Sequence, residues 1–378
     1  MSFMQTYDFA VVGSGLAANL FIKMLNQFSQ IKIARYELAH SSQVKHSSSE
    51  KYQPYLVLNY SSIRRLQELG VNLLDYDHQK IDRYDLIDGY MKIKTITAHE
   101  MSLPFLGINI SISSLVKSLS LPETSSIDSF IYDNKKLIEV NDYSGILSIK
   151  TSEFNHQTSF LAVCDGQFSN FYSCLNVASP IAYDSSQAAL SVTLEYAENN
   201  IEKSAIQLFS GDYLFGIIPQ PENRWTIVIT AKRHLVSDLL LYSDNNIESF
   251  IIKHLPKQYH KFTGCYINRS SRNIYTYSLK QSLFTNYGFF GLSSKGMHPA
   301  GAMGFNQIIY EAALFSFLAR KYGIKPSIWL ESYNKLVNQK FSWVHSALNV
   351  ITQKNHRGLL GLLSLELIPA KVLAPFIA

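Results

Sequence analysis

The chain has 378 residues, 47% hydrophobic and 17% charged, which excludes wholesale disorder and predicts two or three packed lobes rather than one small core. The formal net charge of +5 is spread along the sequence without a run of Lys and Arg, so we expect no nucleic-acid partner. Three cysteines without metal-ligand spacing, no secretion signal and no bilayer-spanning apolar stretch lead us to expect a cytoplasmic protein without a metal site or a disulfide framework.

The N-terminal segment predicts a strand, a glycine turn and a helix in immediate succession. Residues 7–12 are apolar and β-prone, Gly13-Ser14-Gly15 follows them, and a helical apolar pattern begins at Leu16. Gly13 allows the tight turn, and Gly15 lets a phosphate approach the backbone at the helix N-terminus. The segment therefore predicts a dinucleotide site formed by Gly13, Gly15, Leu16, Ala17 and Ala18.

A second strand is predicted over residues 31–34, at the distance that a βαβ unit requires. In a dinucleotide-binding unit, an acidic residue at the end of this strand holds the adenosine ribose. Counting from Gly13 places Arg35 or Tyr36 at that position, with Glu37 just beyond it. A shift of one residue turns a strand side chain to the opposite face, so Glu37 could serve only if a bulge intervenes. These three residues are the candidates for the ribose side of the site.

The region from residue 40 to residue 182 alternates between loops, helices and strands. Residues 40–53 predict a polar surface loop, residues 61–69 and 113–119 have helical patterns, and residues 84–97 are strand-like. Arg64 and Arg65 are expected on a solvated helix face. Residues 159–164 predict a buried strand that ends in Asp165-Gly166, which places a carboxylate at the edge where open α/β sheets bind ligands. Taken alone, an Asp-Gly pair is more often only a turn.

The second half of the chain predicts a different architecture. Residues 191–196, 205–209, 213–219 and 225–231 are short alternating strands separated by turn residues, which indicates an antiparallel sheet. Residues 287–291 predict a further strand, followed by a glycine-rich turn and a long helix that begins near Asn306. Within that turn, we expect His298 to be satisfied by the backbone.

The C-terminal part is predicted to be helical from residue 327 onward. Residues 358–378 are strongly apolar but are interrupted by Glu366, Pro369 and Lys371. This pattern predicts a segment that docks on the protein or lies on a membrane surface rather than one that spans a membrane.

Three features, taken in chain order, resemble the three fingerprints of the FAD-dependent aromatic-ring hydroxylases: the Gly13/Gly15 turn, the Asp165-Gly166 strand end and the turn from Pro299 to Asn306. Residues 56–70 and 214–219 resemble segments of the branch that acts in ubiquinone biosynthesis. The resemblance implies an α/β fold with a Rossmann-like FAD-binding domain (residues 1–80, 98–182 and 283–325). It also implies an inserted mixed or antiparallel β-sheet substrate domain (81–97 and 183–282) and a C-terminal helical region (326–378).

The resemblance further implies an FAD-dependent monooxygenase that uses NAD(P)H and dioxygen to hydroxylate the aromatic ring of a polyprenylated phenol or quinone precursor. The first turn would bind the FAD pyrophosphate, Asp165 would lie near the cofactor and the nicotinamide route, and the third turn would lie against the flavin ring. No side chain is assigned a catalytic role, because these hydroxylases need no obligate protein base. The implied cofactor-binding residues are Gly13, Gly15, Leu16, Ala17, Ala18, Arg35, Tyr36, Glu37, Asp165, Gly166, Gly291, Leu292, Pro299, Met303, Gly304, Phe305 and Asn306.

The chain departs from the family pattern at the flavin. Leu292 stands where the family has an aspartate that accepts a hydrogen bond from a ribitol or ribose hydroxyl, and Pro54 stands where an arginine helps to hold the flavin. Ala302-Met303 replaces a Gly-Gln pair. These departures keep two alternatives open: a non-catalytic scaffold or lipid-precursor binder in a quinone-synthesis complex, and an FAD or NAD(P)H oxidoreductase with another substrate. For a polyprenylated substrate we expect peripheral contact with the inner face of the membrane.

Overall fold

The structure is a computed structural model that describes residues 5–38, 54–121, 127–132, 139–143, 145–151, 154–196, 204–257 and 262–353. The first strands are β1 (Gln5–Val12), β2 (Ile33–Leu38), β3 (Tyr55–Asn59), β4 (His78–Ile81), β5 (Arg83–Asp88), β6 (Met91–Thr97), β7 (Gly107–Ser111), β8 (Ile127–Tyr132) and β9 (Glu139–Tyr143). The later strands are β10 (Ile146–Lys150), β11 (Asn155–Val163), β12 (Tyr183–Tyr196), β13 (Ser204–Ser210), β14 (Tyr213–Gln220), β15 (Arg224–Lys232), β16 (Phe262–Ser278), β17 (Tyr287–Phe289) and β18 (Lys295–Gly296). The helices are α1 (Leu16–Leu25), α2 (Tyr60–Glu68), α3 (Ile112–Leu119), α4 (Phe171–Cys174), α5 (Arg233–Leu240), α6 (Asp244–His254), α7 (Met303–Tyr322) and α8 (Pro326–Gln353).

The first sheet has seven strands in the order β8-β2-β1-β11-β10-β9, and β17 also pairs with β11. The strands β8, β2, β1, β11 and β17 are parallel to their neighbours, whereas β10 and β9 form an antiparallel extension. β10 pairs with the first half of β11, and β17 pairs with its last three residues. The carboxyl ends of β1, β11 and β17 therefore lie side by side, which is the edge where such sheets bind ligands.

Alternation along β1 shows how this sheet is covered. Phe9 and Val11 point into a core shared with α1, α2, α3, α7 and α8, whereas Ala10 and Val12 point into a second core on the opposite face, with residues of α4. Burial of both faces is expected for a parallel sheet. A separate small antiparallel sheet, β3-β7-β4, packs into the first of these cores through residues such as Leu58 and Ile108.

The third sheet is mixed, with eight strands in the order β18-β16-β12-β15-β14-β13-β5-β6. Only the β13 and β5 pair is parallel. On β15, Trp225, Ile227 and Ile229 pack against α5 and α6, so the alternate residues Thr226 and Val228 point to the opposite face. The antiparallel strands predicted between residues 191 and 231 are confirmed.

The structure differs from the sequence prediction at several points. β2 starts two residues later than predicted and continues to Leu38, so Glu37 lies inside the strand. Arg64 is exposed as predicted, but the prediction for Arg65 was wrong: its guanidinium lies 5.1 Å from the centre of the Tyr310 ring on α7, and burial lowers its pKa. The apolar tail at residues 358–378 lies outside the described residues. Among the helices that are described, none combines the length and the apolar character needed to cross a bilayer.

Candidate cofactor site

Three chain segments meet at the carboxyl edge of the seven-stranded sheet, and Gly13 allows two of them to touch. A Cβ atom built on Gly13 would lie 2.5 Å from the carbonyl oxygen of Cys164, and the backbone φ of +126° also favours glycine. The Gly13 N–H donates to the Tyr36 carbonyl at 2.9 Å. Gly13 therefore has a structural role, since it closes the end of β1 against the ends of β2 and β11.

Gly15 differs from Gly13 because nothing in the fold requires it. A Cβ atom built on Gly15 meets no atom within 4 Å, and its φ of −81° is open to any residue. Gly15 is the N-cap of α1, without a capping side chain and without an acidic residue in the first helical turn. No described side chain caps the first amides of α1, and an exposed, uncapped helix N-terminus suits a phosphate group electrostatically.

Asp165 follows β11 at the same edge and carries an unsatisfied acceptor. Its Oδ2 atom accepts a hydrogen bond from Ser169 Oγ at 2.8 Å, whereas its Oδ1 atom is buried and has no hydrogen-bond partner among the described residues. Burial raises the pKa of this carboxyl to about 6. A buried acceptor without a partner costs free energy, so a ligand hydroxyl placed here would be stabilising.

The third segment is the turn at residues 291–294, which follows β17. Gly291 has φ +64°, and a Cβ atom on it would lie 3.6 Å from Cβ of Ala17, so this turn packs directly on α1. The side chain of Leu292 is 42% exposed and cannot accept a hydrogen bond. The structure therefore brings Gly13, Asp165 and Gly291 together as the sequence predicts, but it offers an apolar side chain where the family pattern has a carboxylate.

The start of α7 is held by Asn306. Its Nδ2 atom donates to the Val57 carbonyl at 3.0 Å and to the Ala302 carbonyl at 2.7 Å, and its Oδ1 atom accepts from the Asn59 N–H at 3.1 Å. The side chain thus ties α7 to β3. Ala302 adopts the left-handed region at φ 47°, where the family pattern has glycine. Of the remaining predicted residues, Ala18 and Met303 are buried, Phe305 is half-buried, and Gly304 and Pro299 are exposed.

His298 is buried, and its two ring nitrogens are both engaged. Nδ1 accepts from the Ala300 N–H at 3.1 Å, so Nε2 carries the proton and donates to Gln187 Oε1 at 3.2 Å. Burial lowers its pKa to about 4. The prediction of a turn residue satisfied by the backbone is confirmed for Nδ1, whereas Nε2 is satisfied by a side chain. The link to β12 of the eight-stranded sheet was not predicted, because it joins residues 111 positions apart in the sequence.

The three ribose candidates on β2 have different environments. Tyr36 is fully buried, and its hydroxyl is hydrogen bonded to Nδ1 of His156 at 3.0 Å, so its side chain has no surface for a ribose. Arg35 and Glu37 lie on the other face of β2 and form an ion pair of 2.6 Å between Nε and Oε1. Arg35 and Glu37 are therefore the two candidates with partly exposed polar atoms.

Sequence reasoning missed the buried polar residues behind the turn at residues 291–294. Glu311 on α7 accepts a hydrogen bond from the Gly291 N–H at 2.6 Å, and Tyr172 donates its hydroxyl proton to the Ser293 carbonyl at 2.6 Å. One signal was available for Glu311: Gln307 and Glu311 are four residues apart on an otherwise apolar helix face. Two polar residues at that spacing on a buried face require partners.

No protein-family model and no curated protein matches this chain. Solved structures, in contrast, match it over nearly its whole length. PqsL from Pseudomonas aeruginosa, described as a probable FAD-dependent monooxygenase, matches at 14% identity and a TM-score of 0.74 over 95% of this chain and 100% of that chain. HpxO from Klebsiella pneumoniae, solved with FAD and uric acid, matches at 12% identity and a TM-score of 0.70 over 99% of this chain and 95% of that chain.

A third match extends the comparison to a named aromatic monooxygenase. The p-nitrophenol 4-monooxygenase PnpA from Pseudomonas putida DLL-E4 has 12% identity and a TM-score of 0.68, with 99% of each chain covered. At such identities the likeness concerns the fold, and the predicted fold class is confirmed. The chain therefore has the fold of the FAD-dependent aromatic monooxygenases, nearly from end to end.

Proposed function

We propose that the chain binds FAD at the carboxyl edge of the seven-stranded sheet. The observation that carries this proposal is the exposed N-terminus of α1 at Gly15, at the same edge as the Oδ1 atom of Asp165; among the described residues neither has a capping or hydrogen-bonding side chain as a partner. The pyrophosphate of FAD would accept hydrogen bonds from the α1 amides, and a hydroxyl group of FAD would donate to Asp165. The fold likeness to HpxO, which was solved with FAD, supports this assignment.

The proposed activity is that of an FAD-dependent monooxygenase of an aromatic compound, with NAD(P)H and dioxygen as co-substrates. FAD would supply the redox chemistry when bound, and the protein would orient the ring and exclude water. PqsL and PnpA, whose names describe monooxygenases, support this class of reaction.

The aromatic substrate would lie on the face of the eight-stranded sheet opposite to α5 and α6. Gly216, Val228 and Ser191 are register neighbours across β14, β15 and β12, and all three are half-buried. Small side chains in one row leave room for a planar ring. Two contacts to the rest of the protein border this face: Asn109 Nδ2 donates to the Pro219 carbonyl at 2.9 Å, and His298 donates to Gln187.

For the substrate itself we propose a polyprenylated phenol or quinone precursor, as in ubiquinone biosynthesis. The segments at residues 56–70 and 214–219 support this choice through their resemblance to that branch of hydroxylases. Such a substrate partitions into lipid, so peripheral contact with the inner face of the membrane belongs to the same proposal.

The second candidate function is a non-catalytic scaffold or lipid-precursor binder in a quinone-synthesis complex. The exposed Leu292 and the exposed Pro54 favour it, because each replaces a polar group that the family pattern uses to hold the flavin. Each lost hydrogen bond to a charged group would weaken binding by about 1.5–3 kcal/mol.

Thermal unfolding with added FAD separates the two functions. If FAD binds the native state, its addition raises the melting temperature by mass action, and the loaded protein oxidises NAD(P)H faster when a phenolic ring substrate is present. If millimolar FAD leaves the melting temperature unchanged, the enzyme hypothesis is rejected and the scaffold hypothesis is favoured. If FAD binds but aromatic compounds do not stimulate NAD(P)H oxidation, the FAD site is supported and the monooxygenase activity is rejected.

A further inference from the structure

A carboxyl group lies behind the turn at residues 291–294, on the side away from the exposed Leu292. Glu311 is fully buried, and its Oε2 atom accepts from the Gly291 N–H at 2.6 Å. Its Oε1 atom accepts from Gln307 Nε2 at 2.8 Å and lies 3.3 Å from Ser294 Oγ. This carboxyl therefore contacts both ends of the turn, whereas Leu292 contributes no polar group to it.

The remaining polar groups of the turn are also held from the protein side. Gln307 Nε2 donates to the Gly291 carbonyl at 3.2 Å. The hydroxyl of Tyr172 donates to the Ser293 carbonyl, and the hydroxyl of Tyr277 donates to the Leu292 carbonyl. The backbone of the turn is thus hydrogen bonded to side chains of α4, α7 and β16, and none of these bonds involves the side chain of Leu292.

We propose that Glu311, supported by Gln307, is a positioning residue that fixes the turn at residues 291–294 against α1 and so preforms the surface that FAD meets. The inference rests on the proposed FAD site. Gly291 holds a left-handed backbone at φ +64° while its Cα lies close to Ala17 of α1. The Glu311 carboxyl stabilises that arrangement by accepting from the Gly291 N–H, because a buried N–H without a partner would cost free energy. The inference also accounts for the tolerance of leucine at position 292.

The ionisation of Glu311 gives this role a pH dependence. Burial raises its pKa to about 7, while the hydrogen bonds from Gly291 and Gln307 and the charge of Lys295 oppose the rise. Lys295 on β18 is buried and donates to Ser278 Oγ at 2.8 Å and to Asn338 Oδ1 at 3.1 Å. The other titratable groups near this region are Tyr333 on α8, whose buried hydroxyl has no partner among the described residues, Cys164 and Asp165 just after β11, and the two tyrosines Tyr172 and Tyr277 that donate to the turn.

Two pH effects of opposite sign follow. The pKa of Glu311 is higher in the folded state than in the unfolded chain, so its contribution to stability is present below the unfolded value of 4.5 and is lost as the pH rises from there to about 7. The carboxylate that forms in the folded protein near pH 7 accepts every donor around it, whereas the protonated form must use one oxygen as a donor. FAD affinity should therefore rise with pH while the stability of the FAD-free protein falls. A residue that only stabilised the fold would not separate the two quantities.

The test is an FAD titration of the full-length protein at several pH values between 6 and 9, followed by flavin fluorescence. We expect the wild-type dissociation constant to fall about tenfold over this range, as for the gain of one charged hydrogen bond. Glu311→Gln should bind about tenfold more weakly than wild type at high pH, with a flatter pH profile. Ser316→Ala is the matched control, since Ser316 is a buried polar residue of the same helix that accepts from Arg320 away from the turn.

The role of Glu311 and the proposed FAD site can fail independently of each other. If wild type and Glu311→Gln bind FAD equally at every pH, Glu311 does not have the proposed role, and the proposed FAD site is unaffected. If wild type binds no FAD, the proposed function fails, and hydrogen exchange of a peptide covering residues 287–297 in the FAD-free protein then decides the inference. Faster exchange in Glu311→Gln than in Ser316→Ala supports the role of Glu311 in holding the turn at residues 291–294, and equal exchange rejects that role.

Discussion

Replacing Gly15 with valine should abolish FAD binding without harming the fold. The space around a Cβ atom at Gly15 is empty to 4 Å, and its φ of −81° accepts any residue. Because Gly15 is the N-cap of α1, where valine is less favourable than glycine, the substitution should cost about 1 kcal/mol, and the melting temperature should fall by about 2–4 °C. The valine side chain would instead fill the space in front of the α1 amides, where the pyrophosphate is proposed to bind.

The loss of affinity can be scaled from the hydrogen bonds at stake. Two amide donors to an anionic phosphate contribute about 1.5–3 kcal/mol each, so losing both raises the dissociation constant more than 100-fold. Isothermal titration with FAD measures this change, and a thermal melt of the same samples without FAD checks the fold. A Gly15→Val protein that is stable and binds FAD as tightly as wild type would refute the placement of the pyrophosphate at α1.

Three further outcomes are expected. Gly13→Ala should lower the unfolding free energy by about 2–3 kcal/mol in denaturant melts, because its Cβ would lie 2.5 Å from the Cys164 carbonyl oxygen; unchanged stability would contradict this packing. Leu292→Asp should tighten FAD binding about tenfold at constant melting temperature, since the side chain is 42% exposed, and unimproved binding would show that position 292 does not face the cofactor. His298 has a pKa depressed to about 4, so it contributes stability above pH 6.5, its unfolded value, that is lost as the pH falls toward 4. His298→Gln should therefore flatten the stability profile in this window by up to roughly 3 kcal/mol relative to wild type, and parallel profiles would argue against a neutral buried imidazole.

The parts of the fold that the sequence predicted well are those that local patterns specify. The β1, Gly13 turn and α1 unit follows from an apolar run, a glycine pair and a helical repeat within 20 residues of one another. The strand end at Asp165 and the strands between residues 191 and 231 follow in the same way from alternation and turn residues. Each of these signals is independent of distant partners, because side-chain alternation and turn chemistry act within a few residues.

The misses depend on partners that are distant in the sequence. Residues 35–37 look polar, but Tyr36 is buried through its contact with His156, and Arg35 pairs with Glu37, so β2 continues further than its apolar pattern. β16 spans Phe262–Ser278 and has many polar residues, and its strand form follows from pairing with β12. Contacts of this kind cannot be read from periodicity, because the partner supplies the burial.

The candidate site shows the same division. Gly13, Asp165 and Gly291 could be predicted as neighbours, since each follows a strand of one parallel sheet. Glu311 could not be connected to Gly291 from sequence, because α7 turns back beneath the turn that precedes it and brings the carboxyl within 2.6 Å of the Gly291 nitrogen. The distinct roles of Gly13 and Gly15 also required the structure, since only the distance from Gly13 to Cys164 separates a packing glycine from an open one.

The measurement that tests the central claim most directly is the visible absorption spectrum of the purified full-length protein, before and after incubation with excess FAD and removal of unbound FAD by gel filtration. An FAD site at the α1 N-terminus and Asp165 predicts that the protein retains flavin absorbance in a one-to-one ratio, and that Gly15→Val treated in parallel retains none. A wild-type protein that is colourless after incubation with excess FAD and gel filtration would contradict the account.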